Sequence, residues 1–324
     1  MKKAKVLLTP SSSGMAIAAI KSLRKDKRIK IISTDIDRLA PGLYLSDCGY
    51  MVPPFSEEAY YDALKKIVKK EKIDVIIPCL DTILIEFSKR RNEFEDMGTK
   101  ILVSDQKTLE ISRDKWKTYN KLRNIVPVPI SYIDQRYVDL PFPLFIKPRY
   151  GSGSKDAYKV NSQEDLDFYW HSIKDPIIQE YLIGKEFTVD CLADAEGNLI
   201  IDIPRERIEV KAGISIKSRI VEDERLSQMA RKIAEKIKFY GPFFFQAKED
   251  EHQVPKLTEI NARISGTMSL SSFSGSNIHL LAIKLCLGDK IEKPHIKTGL
   301  FLTRYWEEIY LTEEEIKKKL KSMS

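Results

Sequence analysis

The sequence predicts an amino-terminal α/β domain with a parallel sheet, followed by a larger α+β region. Two observations carry this prediction. Before residue 108, short apolar runs alternate with helical periods, which is typical of a parallel sheet covered by helices on both faces. After that point several strand-like runs follow one another and the helices are set apart from them, as in α+β proteins.

In the amino-terminal part, the apolar runs are predicted as strands and the amphipathic runs as helices. Strands are expected at residues 5–9, 29–34, 75–77 and 100–103, and helices at 15–26, 57–71 and 83–95. The turn at 10–14 contains one glycine, whereas a dinucleotide-binding fingerprint needs three. This composition disfavours a nicotinamide-binding function.

Polar residues follow several of these predicted strands. Ligands of parallel α/β sheets bind beyond the carboxyl ends of the strands. That rule brings residues 11–14, Asp35 and Asp81 around one crevice. The same residue types also favour turns and helix caps, so ligand binding and capping both stay open.

The second part is predicted to begin with a helix near residues 113–124. Strands at 157–160 and 177–180 flank a helix at 163–173. An antiparallel sheet is then expected from strands at 186–193, 199–203, 206–210, 243–248 and 256–263, interrupted by a helix at 224–237.

The 324 residues have the composition of a soluble globular protein with more than one core, since 43% are hydrophobic and 31% are charged. The net charge is +7, but lysines alternate with glutamates, so no nucleic-acid partner is expected. The four cysteines and four histidines are dispersed, which disfavours disulfides and zinc. No apolar run is long enough for a signal peptide or a bilayer, so a cytoplasmic protein without a membrane partner is expected.

The most informative residues are Glu259, Asn261 and Arg263, which occupy alternate positions of a predicted strand. Such residues project from one face of a sheet. Burying them is costly without a partner, and a magnesium-bound polyphosphate would supply one. Gln246, after an apolar run, could add an oxygen from a neighbouring strand. The alternative is an exposed strand with ordinary polar alternation.

Two lysines and a glycine-serine loop are candidates for binding phosphate. Lys147 ends an apolar strand and precedes a proline, which keeps it extended, so its ammonium must reach solvent or an anion. The loop that follows could cradle phosphate or simply form a hairpin turn, and it contains Gly151, Ser152, Gly153 and Ser154. Lys115, in the first turn of a predicted helix, is either a second cation or a surface lysine.

A strand–glycine–strand segment at residues 177–190 could hold a nucleoside. Its hinge can present backbone groups to an adenine edge, and comprises Gln179, Glu180, Tyr181 and Leu182. Glu186 could accept hydrogen bonds from ribose hydroxyls, or could be an exposed glutamate at the start of a strand.

In this order, the motifs resemble those of the ATP-grasp superfamily, and most closely its single-module proteins similar to carbamoyl-phosphate synthase large subunits. The resemblance rests on Lys115, the run 147–154, the hinge 180–186, Gln246 and the strand 259–263, and covers most of the chain. It implies a Rossmann-like pre-ATP-grasp α/β domain followed by an ATP-grasp fold of two α+β subdomains. The implied bounds are 1–107 for the first domain, 108–182 for the lid or small subdomain, and 183–324 for the catalytic subdomain.

The resemblance also implies roles for the candidate residues. Lys115 and Lys147 would bind ATP phosphates under the closed loop 150–154, and the hinge would hold adenine and Glu186 the ribose. Magnesium, as two ions, or manganese would be ligated by Gln246, Glu259 and Asn261. The catalytic set would be Arg263 on the transferred phosphate, Lys147 and Arg207. Many family members have an acidic residue at the position of Gln246, although the carbamoyl-phosphate-synthase branch shares the glutamine, and Ala262 replaces the usual proline.

The activity implied is ATP-dependent ligation of a small-molecule carboxylate, such as an amino acid, to an amine or thiol through an acyl phosphate. Bicarbonate activation is an alternative, disfavoured because the chain shows no second module or glutaminase part. A non-catalytic ATP-binding regulator is another, opposed by the intact motif residues. A homodimer is a further expectation.

The acceptor site is less defined in the sequence. Arg205, Arg207, Glu209 and Lys211 alternate along one strand, and their shared face could hold an anionic substrate or be solvated. The serine-rich run 265–275 could form a substrate loop.

Overall fold

The computed structural model describes residues 2–292 and 294–321. These residues form a parallel six-stranded sheet, an antiparallel four-stranded sheet and an antiparallel six-stranded sheet. The predicted order, parallel α/β followed by antiparallel α+β, is therefore confirmed. No helix in the described part of the chain is both long and apolar enough to span a bilayer.

The first sheet has the strand order β16-β3-β2-β1-β4-β5, and all its pairings are parallel. Its strands are β1 (Ala4–Thr9), β2 (Ile29–Asp35), β3 (Cys48–Met51), β4 (Val75–Pro78), β5 (Lys100–Ile101) and β16 (Leu320–Lys321). The helices are α1 (Gly14–Leu23), α2 (Pro41–Leu45), α3 (Glu58–Glu71), α4 (Leu84–Lys89) and α5 (Arg91–Glu95), with a 3₁₀ turn at Asp81–Ile83. The strand order reverses at β1, and β4 lies on its other side.

Helices cover both faces of this sheet because the residues of its strands alternate between two cores. Leu7 belongs to one apolar cluster, whereas Val6 and Leu8 belong to the other. The single helix expected at 83–95 is wrong, since the chain turns at Arg90, where helical hydrogen bonding breaks between α4 and α5. Strands β3 and β16 were not predicted, because such short segments carry little periodic signal.

The second sheet is antiparallel, in the order β6-β9-β7-β8. Helices α6 (Gln106–Arg113) and α7 (Lys115–Leu122) lead into it. Its elements are β6 (Ser131–Tyr132), a 3₁₀ turn (Gln135–Tyr137), β7 (Leu144–Pro148), β8 (Tyr158–Val160), α8 (Gln163–Ser172) and β9 (Pro176–Glu180).

The third sheet is also antiparallel, in the order β14-β13-β10-β11-β12-β15. Its strands are β10 (Glu186–Ala193), β11 (Leu199–Lys211), β12 (Ile214–Ile220), β13 (Gly241–Glu249), β14 (Pro255–Asn261) and β15 (Phe301–Thr303). The associated helices are α9 (Glu224–Lys236), α10 (Ser269–Phe273) and α11 (Ile278–Cys286), and α12 (Glu313–Lys319) leads into β16.

One long strand, β11, replaces the two strands expected at 199–203 and 206–210. The expected break falls at Pro204, which lacks an N–H but still pairs with Val189, and its carbonyl accepts a hydrogen bond from Val221. The domain bounds at residues 107 and 182 stay predictions.

Candidate active site

Strand register places the key polar residues of the third sheet on one face. Glu259 lies opposite Gln246, Gln246 opposite Thr188, and Thr188 opposite Arg205. Directly opposed residues of antiparallel strands share a face. A band of polar side chains therefore runs across four strands, from β14 through β13 and β10 to β11.

The alternating residues of the motif strand interact with one another as well as sharing this face. Asn261 donates its Nδ2 hydrogen bond to Glu259 Oε1 at 2.6 Å, and Arg263 Nη2 lies 3.4 Å from Asn261 Oδ1. Asn261 is buried, so the exposed-strand alternative is wrong for this part of the chain. With Gln246 opposite Glu259, the three predicted metal ligands lie together.

These three residues offer one carboxylate and two amide oxygens. Oxygen ligands of this kind suit magnesium, which keeps several positions for water and phosphate. The residues that the structure describes contain no group of three or more His, Cys, Asp or Glu side chains placed to hold a metal. The donor set therefore fits a hard cation shared with phosphate better than a metal held by protein alone.

Lys147 is a buried cation at the end of β7. Its side chain is 8% exposed, and its Nζ donates to the carbonyl oxygen of Thr258 at 3.2 Å. Among the described residues no carboxylate forms an ion pair with it. Burial, and secondarily the charge of Lys115, lower the pKa of Lys147 to about 7. A buried ammonium without an anionic partner indicates a site for an anionic ligand.

Lys115 lies beneath the glycine-serine loop. It begins α7, is buried rather than exposed, and its Nζ donates to the carbonyl oxygen of Gly151 at 3.0 Å. The N-cap residue Asp114 forms an ion pair with Arg149 at 2.6 Å, which fixes the start of the loop. The surface-lysine interpretation of Lys115 is therefore wrong.

The loop itself connects β7 to β8, so it is a hairpin connection and also a wall of the cleft. Gly151, Ser152 and Ser154 line the cleft that contains Lys115 and Lys147. Gly151 and Gly153 have φ angles of 138° and 73°, which favour glycine. Gly153 packs against the β11–β12 turn, because a Cβ on Gly213 would lie 2.6 Å from its carbonyl carbon.

The predicted adenine hinge lines the same cleft, through Gln179, Glu180, Tyr181 and Leu182. Gln179 donates to Ser131 Oγ at 2.8 Å, and Glu180 forms an ion pair with Lys256. Those contacts use the side chains and fix the direction of the hinge. Its backbone remains the candidate for contact with a purine.

Glu186 forms an ion pair with Arg207 at 2.8 Å on the floor of this cleft. Arg207 also donates to the carbonyl oxygen of Gly213 at 2.9 Å. Burial lowers the pKa of the Arg207 guanidinium, and Glu186 opposes that shift. Arg207 thus links the predicted ribose ligand to the turn on which the glycine-serine loop rests.

The continuous face expected at 205–211 is wrong, because a bulge shifts the register between Arg207 and Glu209. Beyond the bulge, Glu209 and Lys211 are exposed, and Glu209 forms an ion pair with Lys217. Arg205, by contrast, is fully buried and bonded to Asp190 at 2.7 Å. Its charge is already neutralised, so it is a poor candidate for holding a substrate.

Two hydroxyls of the serine-rich run at 265–275 contact the carboxylate of Asp190. Ser265 Oγ lies 3.2 Å and Ser271 Oγ 2.6 Å from its carboxylate oxygens, and both serines are buried. These two hydroxyls thus belong to a buried network behind the site. The substrate-loop interpretation is not supported for them.

The amino-terminal crevice separates the two aspartates that the sequence grouped. Asp35 accepts the backbone N–H of Ser11 and Ser12 at 2.9 and 2.7 Å, so it caps a turn. Asp81 instead forms a bidentate ion pair with Arg263 at 2.5 and 2.7 Å. Sequence reasoning missed this pair, and its one signal was the position of Asp81 beyond the carboxyl end of β4.

Two family comparisons match separate parts of the chain. Residues 7–102 match the family described as PylC-like, N-terminal domain. Residues 172–307 match the family described as ATP-grasp in the biosynthetic pathway with Ter operon. The second match contains the hinge and the motif strand.

A similar relative is the carbamoyl phosphate synthase large chain of Thermoanaerobacter sp. (strain X514). It is 25% identical over 307 residues, and the match covers 88% of this chain. This chain spans only 27% of that protein's length. A second relative, the formate-dependent phosphoribosylglycinamide formyltransferase of Prochlorococcus marinus, is 28% identical over 248 residues, covering 68% of this chain and 62% of the relative.

Among solved structures, the biotin carboxylase domain of Hydrogenobacter thermophilus 2-oxoglutarate carboxylase, crystallised with MgADP and bicarbonate, has a TM-score of 0.73. It is 16% identical, and the match covers 93% of this chain and 74% of that one. At this identity the likeness shows the fold. The family matches, the relatives and the fold agree with the ordered motifs in the cleft, and they show that this chain is similar to ATP-grasp proteins.

Proposed function

We propose that the protein is an ATP-dependent ligase that joins a small carboxylic acid or amino acid to an amine and releases ADP and phosphate. The observation that carries this proposal is the cleft in which the buried ammonium of Lys147, which forms no ion pair with a carboxylate of the described residues, lies near Lys115 and faces the band of Gln246 and Glu259. A nucleotide polyphosphate with a hard cation supplies the charges that this cleft lacks.

The reaction would proceed in two steps. A carboxylate oxygen of the acid attacks the γ-phosphorus of ATP, the bond to the β-phosphate oxygen breaks, and ADP leaves. The amine nitrogen then attacks the acyl carbon, inorganic phosphate leaves with the carbon–oxygen electrons, and the nitrogen loses a proton. Transfer to a thiol follows the same course with sulfur as the nucleophile.

The residues of the cleft would position the phosphates and balance their charge. Lys115 and Lys147 are placed to bind them, and Arg263 to contact the transferred phosphate. The loop at 150–154 would cover the phosphates and exclude water from the acyl phosphate. Magnesium, as two ions, or manganese would be held by Gln246, Glu259 and Asn261 and would neutralise phosphate charge.

Adenine and ribose would occupy the other end of the cleft. The backbone of the hinge at 179–182 would bind the adenine edge, and Glu186 would accept hydrogen bonds from the ribose. Arg207 would keep Glu186 in place rather than meet the acid directly. We further propose domains at 1–107, 108–182 and 183–324, a cytoplasmic enzyme and small-molecule substrates.

The test is to incubate purified protein with MgATP and pooled carboxylic and amino acids, and to measure ADP release and products by mass spectrometry. Lys147→Ala and Glu259→Ala should each abolish ADP release. Lys121→Ala and Glu251→Ala are matched controls, because both side chains are exposed and lie outside the cleft lining.

Three outcomes separate the alternatives. An amide product supports the ligase. ADP release that depends on bicarbonate and gives no amide would favour the carbamoyl-phosphate type of activation. Thermal stabilisation by MgATP without turnover on any acid would identify a nucleotide-binding protein instead.

A further inference from the structure

The ion pair of Asp81 and Arg263 joins two parts of the molecule that are distant in sequence. Asp81 begins the turn after β4 of the parallel sheet, and Arg263 follows β14 of the third sheet. Their side chains are 24% and 10% exposed, so the pair is well shielded from water. The bidentate geometry fixes the orientation as well as the distance of the guanidinium.

Nearly all hydrogen-bond donors of Arg263 are occupied. A guanidinium has five N–H groups. Nε and Nη2 donate to Asp81, Nη2 lies 3.4 Å from Asn261 Oδ1, and Nη1 donates to the carbonyl oxygen of Ile264 at 2.9 Å. Among contacts with the described residues, these four bonds leave one N–H without a partner, on Nη1. The aromatic ring of Phe244 lies 5.1 Å from the guanidinium carbon.

The ion pair with Asp81 also bears on whether Arg263 can pair with a second carboxylate, that of Glu259. Glu259 and Arg263 lie four positions apart on the same motif, and Asn261 contacts both side chains, so a rotation of the guanidinium toward Asn261 would bring the opposite charges nearer to each other. In the structure the guanidinium is paired with Asp81, and Glu259 accepts a hydrogen bond from Asn261 instead. A guanidinium paired with Glu259 would compete with the cation that we propose for that carboxylate.

We propose that Asp81 is a positioning residue, which holds Arg263 away from Glu259 and directs its free N–H to the transferred phosphate. The inference rests on the proposed function, which places that phosphate at Arg263. The amino-terminal domain thereby contributes to phosphoryl transfer through a side chain that does not itself contact ATP.

The experiment is a double-mutant cycle on nucleotide binding, which requires no turnover. The dissociation constants of Mg-AMP-PNP and MgADP are measured by calorimetry for the wild type, Asp81→Asn, Arg263→Lys and the double variant. The ratio of the two constants reports contacts to the γ-phosphate, and a change in general stability would leave it unaltered. Asp37→Asn, which alters an exposed aspartate after β2, is the control for loss of a carboxylate.

We expect each single variant to lose about 10-fold of the preference for the triphosphate analogue, and the double variant to lose no more than either. Asp81→Glu keeps the charge, so it should lose less of the preference for the triphosphate analogue than Asp81→Asn. Independent effects that multiply in the double variant would overturn the inference, as would an Asp81→Asn variant that binds both nucleotides with the wild-type ratio of dissociation constants. Absence of magnesium-nucleotide binding in the wild type would overturn both proposals.

The two proposals can fail separately. A cycle in which the effects do not multiply, in a protein that releases no ADP with any acid, would support the positioning role and reject the ligase. Ligase activity, together with single-variant effects on the ratio of dissociation constants that multiply in the double variant, would support the ligase and reject the positioning role.

Discussion

Raising the pH from 7 to 9 should stabilise the ligand-free protein more than a Lys147→Met variant, by about 2 kcal/mol. The ordinary pKa of a lysine is 10.5, and burial lowers the pKa of Lys147 to about 7 in the folded protein. Between these values the unfolded chain binds a proton that the folded protein does not. The free energy of unfolding therefore rises with pH across this window, by about 5 kcal/mol in total.

The sign follows from the cost of the charged form. Below pH 7 the folded protein carries a buried ammonium, and its destabilising effect is fully present. Above pH 7 the folded protein loses the proton and the unfolded chain keeps it, but the free energy that the unfolded chain gains from this proton falls as the pH rises, so the penalty declines and nearly vanishes at the ordinary pKa of 10.5. About 2 kcal/mol of the total falls between pH 7 and 9. The folded protein is still partly protonated near pH 7, and the rest of the change comes above pH 9 and just below pH 7.

The assay is urea unfolding of the wild type and Lys147→Met at pH 7 and at pH 9, with the m-value checked for constancy. Titrations of all other groups cancel in the difference between the two proteins. Lys121→Met removes an exposed lysine, so its free energy of unfolding should change with pH as that of the wild type does. Parallel pH dependences of the wild type and Lys147→Met would refute the buried-ammonium account.

Two further predictions concern the support of the site. Gly213→Ala places a Cβ 2.6 Å from Gly153 at a φ of 74°, so it should displace the glycine-serine loop and lower kcat/KM for ATP about 10-fold, measured by steady-state ADP release; unchanged kinetics would show that the loop does not rest on this turn during turnover. Arg205→Leu leaves the carboxylate of Asp190 buried without its partner, so it should lower the free energy of unfolding by about 3–5 kcal/mol in urea. Adding Asp190→Leu should restore part of that loss, and a lower stability in the double variant would contradict this explanation.

Local patterns in the sequence were enough to predict the motif strand. Alternation predicted that Glu259 and Asn261 share a face and that Gln246 lies on a neighbouring strand, and the structure places Gln246 directly opposite Glu259. The sequence also indicated Lys147 as a candidate for binding an anion, because a lysine at the end of an apolar strand must direct its ammonium to solvent or to an anion.

Contacts between distant segments were beyond that reasoning. Arg263 and Asp81 are 182 positions apart, and nothing local in either segment specifies the other. The bulge after Arg207 depends on how β12 pairs with β11, which no pattern within β11 reveals. Such features arise from packing of whole elements, and here they decide which charges remain available in the cleft.

Lys147 and Arg205 differ in whether their charge is free to bind a ligand, although both are buried. Both are buried cations, one at the wall of the cleft and one on the polar band beneath it. Arg205 has a carboxylate within 2.7 Å and two serines complete the shell of that carboxylate, so its charge is neutralised within the protein. Among the described residues no carboxylate pairs with Lys147, whose Nζ donates to a backbone carbonyl oxygen and lies 5.7 Å from the centre of the Phe145 ring, and burial lowers its pKa. An anionic ligand beside Lys147 would stabilise its ammonium and raise its pKa, so nucleotide binding above pH 7 should be accompanied by proton uptake.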